Sequence, residues 1–206
     1  MSLRLKGNNN MIIGLTGSSG SGKSIASEFF AEKGFFIIDY DKLAREICNS
    51  GEPCLMELTE HFGCDIIDTD GNLLRKKLGE IVFADREKLS VLNSITHKYI
   101  LQKSDMLKEQ NIHRDIIMDA PLLFEASLDK QCDFVVSILC DSETQIQRIM
   151  ARDGISRDTA TGRLASQHTN DYFEEKSDFC IYNNSTPQEF ENKLEKLLED
   201  IYAGHC

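Results

Sequence analysis

The sequence of 206 residues predicts a three-layer α/β fold built on a five-stranded parallel sheet. Three observations predict it. Five short apolar runs bounded by turn residues suit strands buried on both faces. Helical patterns alternate with these runs, as parallel pairing requires. The first run also passes through a glycine-rich turn straight into a helix, which opens a strand–helix–strand unit whose crossover is right-handed.

Met11 to Leu15 is the first strand. The turn after it, Gly17-Ser18-Ser19-Gly20-Ser21-Gly22-Lys23-Ser24, fits G-x-x-x-x-G-K-[ST] and stands between a strand and a helix, where a phosphate-binding loop must stand. Its glycines allow backbone angles closed to other residues, so successive N–H groups can curl into an anion nest. The helix behind it adds unpaired amides and a positive dipole end. Lys23 then reaches the outer phosphates of a polyphosphate, and the Ser24 hydroxyl ligates Mg²⁺. Ile25, Phe29 and Phe30 give that helix an apolar stripe, and Gly34 suits its C-terminal stop. Phe35 to Ile38 is the second strand, ending in Asp39-Tyr40-Asp41.

Residues 42–113 show no buried strand pattern. Amphipathic stretches at 43–48, 55–62, 73–83 and 87–107 are separated by glycines and an Asp-rich turn, which predicts an inserted helical domain. The nucleotide-binding core is then 11–41 with 114–206. Such an insertion sits at the carboxyl ends of strands, where ligands of these sheets bind. Ile116 to Met118 form the third strand, closed by Asp119, and Phe134 to Leu139 form the fourth. Ser142-x-x-Gln145 predicts a capping box for the next helix. That helix carries Arg148 and Arg152 on one face and stops at Asp153-Gly154; Ser156 caps a shorter helix bearing Arg163. A glycine-broken hairpin with arginines, about 144–168, has the build of a lid. Arg157, beside Asp158, belongs to an exposed face. Phe179 to Tyr182 are the fifth strand, followed by Asn183-Asn184-Ser185 and a helix from Pro187 to about Tyr202.

Composition narrows the partners. The net charge of −11 argues against sequence-independent nucleic-acid binding, which needs clustered Lys and Arg. Residues 144–168 nevertheless hold four arginines against two aspartates, a local positive patch for an anion. No run of 18 apolar residues and no signal-peptide block occur, so the expectation is a cytoplasmic protein without a membrane span. Residues 1–10 are expected to be a disordered leader or a cloning remnant. The seven cysteines are odd in number and lack metal spacing, which predicts reduced thiols. No signal specifies an oligomeric state.

Asp39, Asp41 and Asp119 are all expected at strand ends on the rim that carries the phosphate loop. Phosphoryl transfer needs a carboxylate to orient and deprotonate the attacking hydroxyl, and acids that help hold Mg²⁺. The arginines supply charge to the transition state. His97 lies on an amphipathic stretch and is expected at a helix end. Asn192-Lys193-Leu194-Glu195 looks like the guanine-reading motif of GTPases, but Glu stands where Asp is needed and the stretch is amphipathic helix, which weighs against a nucleotide-gated switch.

With these residues in view, the chain resembles the dephospho-coenzyme A kinase family of P-loop kinases. The resemblance runs from Met11 to about Leu198. It rests on Ile13-Gly14-Leu15-Thr16-Gly17 with the phosphate loop, Ile38-Asp39-Tyr40-Asp41 with Ala44-Arg45-Glu46, Ile95-Thr96-His97, Asp119-Ala120-Pro121-Leu122-Leu123-Phe124-Glu125, Arg152-Asp153, Arg163 with Ala165-Ser166-Gln167, and Asn183-Asn184-Ser185. It implies a three-layer P-loop kinase fold, and transfer of the ATP γ-phosphoryl group to the ribose 3′-hydroxyl of dephospho-coenzyme A. Asp41 matches the proposed catalytic carboxylate, helped by Lys23 and Arg148. ATP would meet Gly17 to Ile25, Arg148, Arg152 and Asn183 or Asn184, with Mg²⁺ on Ser24 and on Asp39 or Asp119 through water. The acceptor would meet Asp41, Arg45, His97, Leu122, Leu123, Phe124, Glu125 and Arg163, inside the helical domain and beside it. Departures are Ser18-Ser19 where the family often has Gly-Ile, Ile25 where it has Thr, and His97-Lys98 where it has His-Pro. A nucleoside or nucleotide kinase is the nearest enzymatic rival; the large helical insertion favours a bulkier acceptor.

Overall fold

A computed structural model describes residues 10–204, so all but Asn10 of the expected leader, and Cys206, lie outside the described residues. The chain forms two compact units, one of residues up to Ile37 and from Ile112 onward, the other Ile38–Asn111.

The first unit is the sheet with its helices. β1 (Ile12–Thr16), β2 (Phe36–Asp39), β3 (Ile116–Asp119), β4 (Phe134–Leu139) and β5 (Phe179–Tyr182) form one sheet in the order β2-β3-β1-β4-β5. The strand that feeds the phosphate loop is therefore central. β1 pairs parallel with both β3 and β4, and the register sets Leu15 opposite Asp119. β4 pairs parallel with β5. At the edge, Phe36 N–H donates to Asp115 O (2.8 Å). Central strands that are covered on both faces must be apolar throughout, and Ile13, Leu15, Ile116, Ile117 and Val136 are all fully buried.

α1 (Lys23–Glu32) and α9 (Pro187–Ala203) cover this unit's main core. Ala26, Phe29 and Phe30 meet Phe190, Leu194, Leu197 and Ile201 there. Burying one such phenylalanine is worth about 1.5–3 kcal/mol, and Phe30 is fully buried. α9 begins with a capping box: the Thr186 hydroxyl accepts from Glu189 N–H while the Glu189 carboxylate accepts from Thr186 N–H. Between β4 and β5 lie α6 (Ser142–Asp153), α7 (Arg157–Ala165) and α8 (Asn170–Lys176). Ile146, Ile149 and Ala160 pack α6 on α7. Gly154 ends α6 in the left-handed conformation, and Ser156 caps α7 by accepting from Thr159 N–H.

The second unit is helical: α2 (Tyr40–Glu46), α3 (Pro53–Phe62), α4 (Arg75–Phe83) and α5 (Arg86–Gln110). Leu58, Ile66, Leu78, Val82 and Ile95 form its core. Polar ties hold the long α5. Tyr40 and Ser104 hydroxyls pair at 2.6 Å, and Glu57 accepts from Lys98 Nζ and Tyr99 Oη, each at 2.6 Å. Cys48, Cys54, Cys64, Cys132, Cys140 and Cys180 are free thiols.

Three local expectations are corrected. Asp41 does not end a strand: β2 stops at Asp39, whose carboxylate caps α2 by accepting from Lys42 N–H (2.9 Å), so Asp41 sits in the first helical turn. Ser142 and Gln145 form no capping box: α6 begins one residue earlier, with Asp141 at the N-cap and no side-chain cap, so Ser142 is already helical, and the Gln145 amide turns to the phosphate loop. His97 stands in the middle of α5 on its exposed face, not at a helix end. α8 and the 3₁₀ turn Leu128–Gln131 were not anticipated at all.

Candidate active site

In the sheet unit, β1 delivers the chain to the phosphate loop and α1 takes it away. Gly17, Gly20 and Gly22 all hold positive φ (146°, 77° and 100°). Space as well as angle demands glycine at all three: a Cβ on Gly17 would collide with Ile138 O, one on Gly20 with Gln145 O, and one on Gly22 with Asn183 Nδ2.

The outer face of the loop is tied by donors from other elements. Gln145 Nε2 donates to Ser19 O (3.1 Å) and Ser18 Oγ (2.5 Å). Arg148, one turn along α6, donates to Gly20 O (3.3 Å), Ser21 O (3.4 Å) and Asn183 O (3.2 Å). Asn183, just past β5 and 3% exposed, donates to Ser21 O (2.8 Å). A trans peptide points its N–H opposite its C=O. Fixing the Ser19 and Ser21 carbonyls on one side therefore turns the Gly20 and Gly22 N–H groups to the other, which is the geometry of an anion cradle.

Asp119, at the end of β3 and 6% exposed, holds the Lys23 ammonium through Oδ1. The register that sets Leu15 beside Asp119 brings this pair together. Ser24 is exposed in the first turn of α1, and Ile25 beside it is also exposed. Among the described residues no group of three or more His, Cys, Asp or Glu is set to hold a metal by itself. The hard oxygens at hand, the Ser24 hydroxyl and the Asp119 carboxylate, suit Mg²⁺ of the kind that takes the rest of its ligands from phosphates and water.

On the α6–α7 hairpin, Arg152 makes a two-pronged pair with Asp153 (2.7 and 3.0 Å), and Arg163 reaches the same carboxylate. These cations pull the Asp153 carboxyl down to about 2, the Arg152 hydrogen bond contributing most. Arg157 pairs with Glu143 at 2.9 Å and lowers that carboxyl to about 2 as well. Burial raises the Cys140 thiol, which lies 3.5 Å from Arg148 Nη1.

The 122–125 segment divides. Leu122 is 64% exposed. Leu123 is fully buried, packed where a Cβ on Gly14 would touch it, so its expected place in an acceptor wall is corrected to the core over β1. Phe124 stands edge-on to Tyr172 (ring centroids 5.8 Å apart). Glu125 pairs with His168 (2.9 Å), which stacks on Tyr172 at 3.6 Å. Asn184 is exposed and accepts from Asp141 N–H (2.9 Å).

In the helical unit, Asp41 and Arg45 are exposed on α2, and the Arg45 carbonyl accepts from Arg75 Nη2 (3.3 Å). A hollow of about 500 Å³ is walled by Leu55, Met56 and Ile67, with Ser50, Thr59 and Glu60. Asp41, Arg45 and His97 do not line it. Sequence reasoning missed the loop contacts of Gln145 and Gln167 and the His168–Tyr172 stack. Glutamine in a helix has no signature that separates an exposed amide from one turned onto a neighbouring loop.

Comparison with known proteins agrees with this geometry. The dephospho-CoA kinase family model matches residues 11–189. A dephospho-CoA kinase of Fusobacterium nucleatum is 43% identical over 191 residues, 93% of this chain and 98% of its own. Among solved structures, a dephospho-CoA kinase from Campylobacter jejuni superposes with a TM-score of 0.67 at 30% identity, covering 95% of this chain and 98% of its own. A Thermus thermophilus protein superposes with a TM-score of 0.80 at 26% identity, covering 93% and 98%.

Proposed function

The chain belongs to the dephospho-CoA kinase family, and on that premise we propose how its residues share the reaction. The protein phosphorylates dephospho-CoA at the expense of ATP, in coenzyme A biosynthesis. The ribose 3′-oxygen attacks the γ-phosphorus, the bond to the β–γ bridging oxygen breaks, ADP leaves, and the hydroxyl proton passes to a carboxylate.

One observation supports the donor half of this reading above the others: the phosphate loop is already curled, with Lys23 held at its mouth by Asp119. The Gly20 and Gly22 amides and the start of α1 receive the phosphates. Lys23 leaves Asp119 for the outer phosphate oxygens, and Arg152 likewise exchanges Asp153 for them, while Arg163 leaves the same carboxylate for the acceptor. Arg148 acts on the transition state through the loop that it braces, and Asn183 locks the same loop below the base. Ser24, with Asp119 or Asp39 through water, holds Mg²⁺; the Asp39 cap commits one of that residue's oxygens to Lys42. Held there, Mg²⁺ would supply positive charge that offsets the charge of the terminal phosphates.

Asp41 is the base, on the residue-by-residue match to the family and on its exposed place in the first turn of α2. On the match to the family, the acceptor is assigned to the helical region expected at 42–113, with Arg45 and His97, and to Leu122, Phe124, Glu125 and Arg163. Both substrates are anionic metabolites, the chain is acidic, and no helix among the described residues is long and apolar enough to cross a membrane. The reading therefore needs neither nucleic acid nor membrane and fits the cytoplasm.

The test is acceptor dependence. Purified protein with Mg²⁺ and ATP should release ADP and form coenzyme A only when dephospho-CoA is added. Turnover of nucleoside monophosphates in its place would overturn the acceptor assignment.

A further inference from the structure

Two glutamines, one at each end of the α6–α7 hairpin, meet on Ser19 of the phosphate loop. Gln145, in the first turn of α6 and 2% exposed, donates to Ser18 Oγ and to the Ser19 carbonyl. Gln167, two residues past α7, accepts the Ser19 N–H at Oε1 (2.8 Å) and donates from Nε2 to Ser19 Oγ (3.0 Å). Each amide has only one orientation that works, because a carbonyl can only accept and a backbone N–H can only donate.

These bonds fix two successive peptide planes. In the Ser18–Ser19 peptide the N–H is held by Gln167, and the carbonyl accepts from Ser21 N–H (3.2 Å). In the Ser19–Gly20 peptide the carbonyl is held by Gln145, which leaves the Gly20 N–H turned toward the cradle. A free Ser19 peptide could rotate and present carbonyl oxygen to the phosphates, where it would repel them. Between the two anchors runs the hairpin that carries Arg148, Arg152 and Arg163.

We propose that Gln145 and Gln167 are positioning residues for the phosphoryl transfer: Gln145 is a buried post, and Gln167 is a latch through which the far end of the lid holds the Ser19 amide and keeps the loop ready for ATP. The proposal rests on the reading of this loop as the ATP site and of the hairpin as its lid. A lid shift at Gln167 then reaches the loop directly, without passing through the arginines.

Gln167 is only half-buried and lies in a loop, so its removal spares the core. Hydrogen exchange at the Ser19 amide, in the nucleotide-free protein, and calorimetric titration with Mg²⁺-ATP test the latch. In Gln167→Ala the Ser19 amide should lose its protection, and ATP affinity should fall about tenfold for two lost hydrogen bonds, while kcat at saturating ATP changes by less than about threefold. Ser19→Ala removes only the hydroxyl partner and should cost about threefold; the double variant should be no weaker than Gln167→Ala, since the two share one bond. Gln147→Ala, on the exposed side of α6 with its amide on Glu143 (3.2 Å), is the control and should change neither readout. Unchanged protection at Ser19, an ATP affinity within twofold of the unaltered protein, or fully additive effects would overturn the latch. Failure of the unaltered protein to bind ATP would instead sink the reading of the loop, and the nucleotide-free exchange would still decide whether Gln167 holds Ser19.

Discussion

Lys23 and Asp119 form an ion pair between the first residue of α1 and the last of β3, the strand that pairs parallel with β1 before the loop. The pair keeps the ammonium at the mouth of the loop before any phosphate arrives and keeps a nearly buried carboxylate paired, which a lone charge there could not be without a large penalty. Asp119→Asn separates its two proposed roles. An amide can still accept from Lys23, but it is a poor partner for Mg²⁺ and its waters. The concentration of Mg²⁺ needed for half-maximal rate should rise about 10- to 100-fold, with ATP affinity in the absence of Mg²⁺ preserved. A variant with normal Mg²⁺ dependence and only a lowered Tm would leave Asp119 as an anchor for Lys23 alone.

Gly22 is the tightest point of the loop. Its φ of 100° is foreign to residues with a side chain, and any Cβ would collide with Asn183 Nδ2, whose amide is already committed to Ser21 O. Gly22→Ala should therefore destabilise by about 2 kcal/mol or more and weaken ATP binding at least about tenfold. Thermal unfolding with and without ATP reads both effects, and an undisturbed Tm would show that the loop moves freely aside.

Arg148 and Arg152 share a helix face but not a task. Arg148 serves three carbonyls of the loop and its neighbour strand, whereas Arg152 is more than half exposed and rests on Asp153. Arg148→Ala should cost roughly 2 kcal/mol for the charge-assisted hydrogen bonds lost, although Ser21 O keeps Asn183 Nδ2 and Asn183 O keeps the Cys140 thiol; that is about 4–8 °C in Tm for a chain of this size. Arg152→Ala should lower Tm by no more than about 2 °C, the loss of one exposed ion pair, and lower kcat, by about 10³ if its charge meets the transition state. Equal losses of stability in the two variants would erase the distinction.

The sheet was legible for a physical reason that did not extend to the site. Parallel strands between two helical layers must be apolar at every position, so Met11 to Leu15 and Phe134 to Leu139 stand out in the sequence, and the spacing of Gly17, Gly22 and Lys23 marks the loop. The partner of Lys23 is set by register, which no local pattern encodes. Gln145 shows the limit most clearly: its spacing from Ser142 is that of a capping box, yet the loop's free carbonyl draws its amide away. The box that does form, Thr186 with Glu189, has the same signature, with Thr186 standing at the N-cap itself. Leu123 came in with the resemblance to a family, and only packing over Gly14 reveals that its side chain belongs to the core. α8 is short and begins after Thr169, which gives no side-chain cap and little apolar period to detect.

The Asp153 cluster predicts an absence of pH switching near neutrality. Its carboxyl is lowered in the fold from 3.8 to about 2. A depressed acid contributes stability above its unfolded value, and loses it as pH falls through the folded one. The Tm difference between the unaltered protein and Asp153→Asn should thus be flat from about pH 5 to 9 and close only below about pH 4. Calorimetry across that range checks it; closure between pH 8 and 6 would assign the lid contact to a histidine instead.

Asp41 is the proposed base, and its charge can be removed almost without changing its shape. It stands exposed in the first turn of α2, where a carboxylate is favoured by the helix dipole, and its neighbour Asp39 already supplies the cap. Asp41→Asn therefore removes no capping bond and should lower Tm by no more than about 4 °C, for the dipole interaction lost. A positioned base is worth about 10² to 10⁴ in rate, so kcat should fall by that factor while ATP affinity is retained. The loss should also be independent of Mg²⁺ concentration, which separates it from Asp119→Asn. If kcat were unchanged, the proton would have to leave through Asp39 or water, and Asp39→Asn, which keeps an oxygen for Lys42 N–H, would then show the loss.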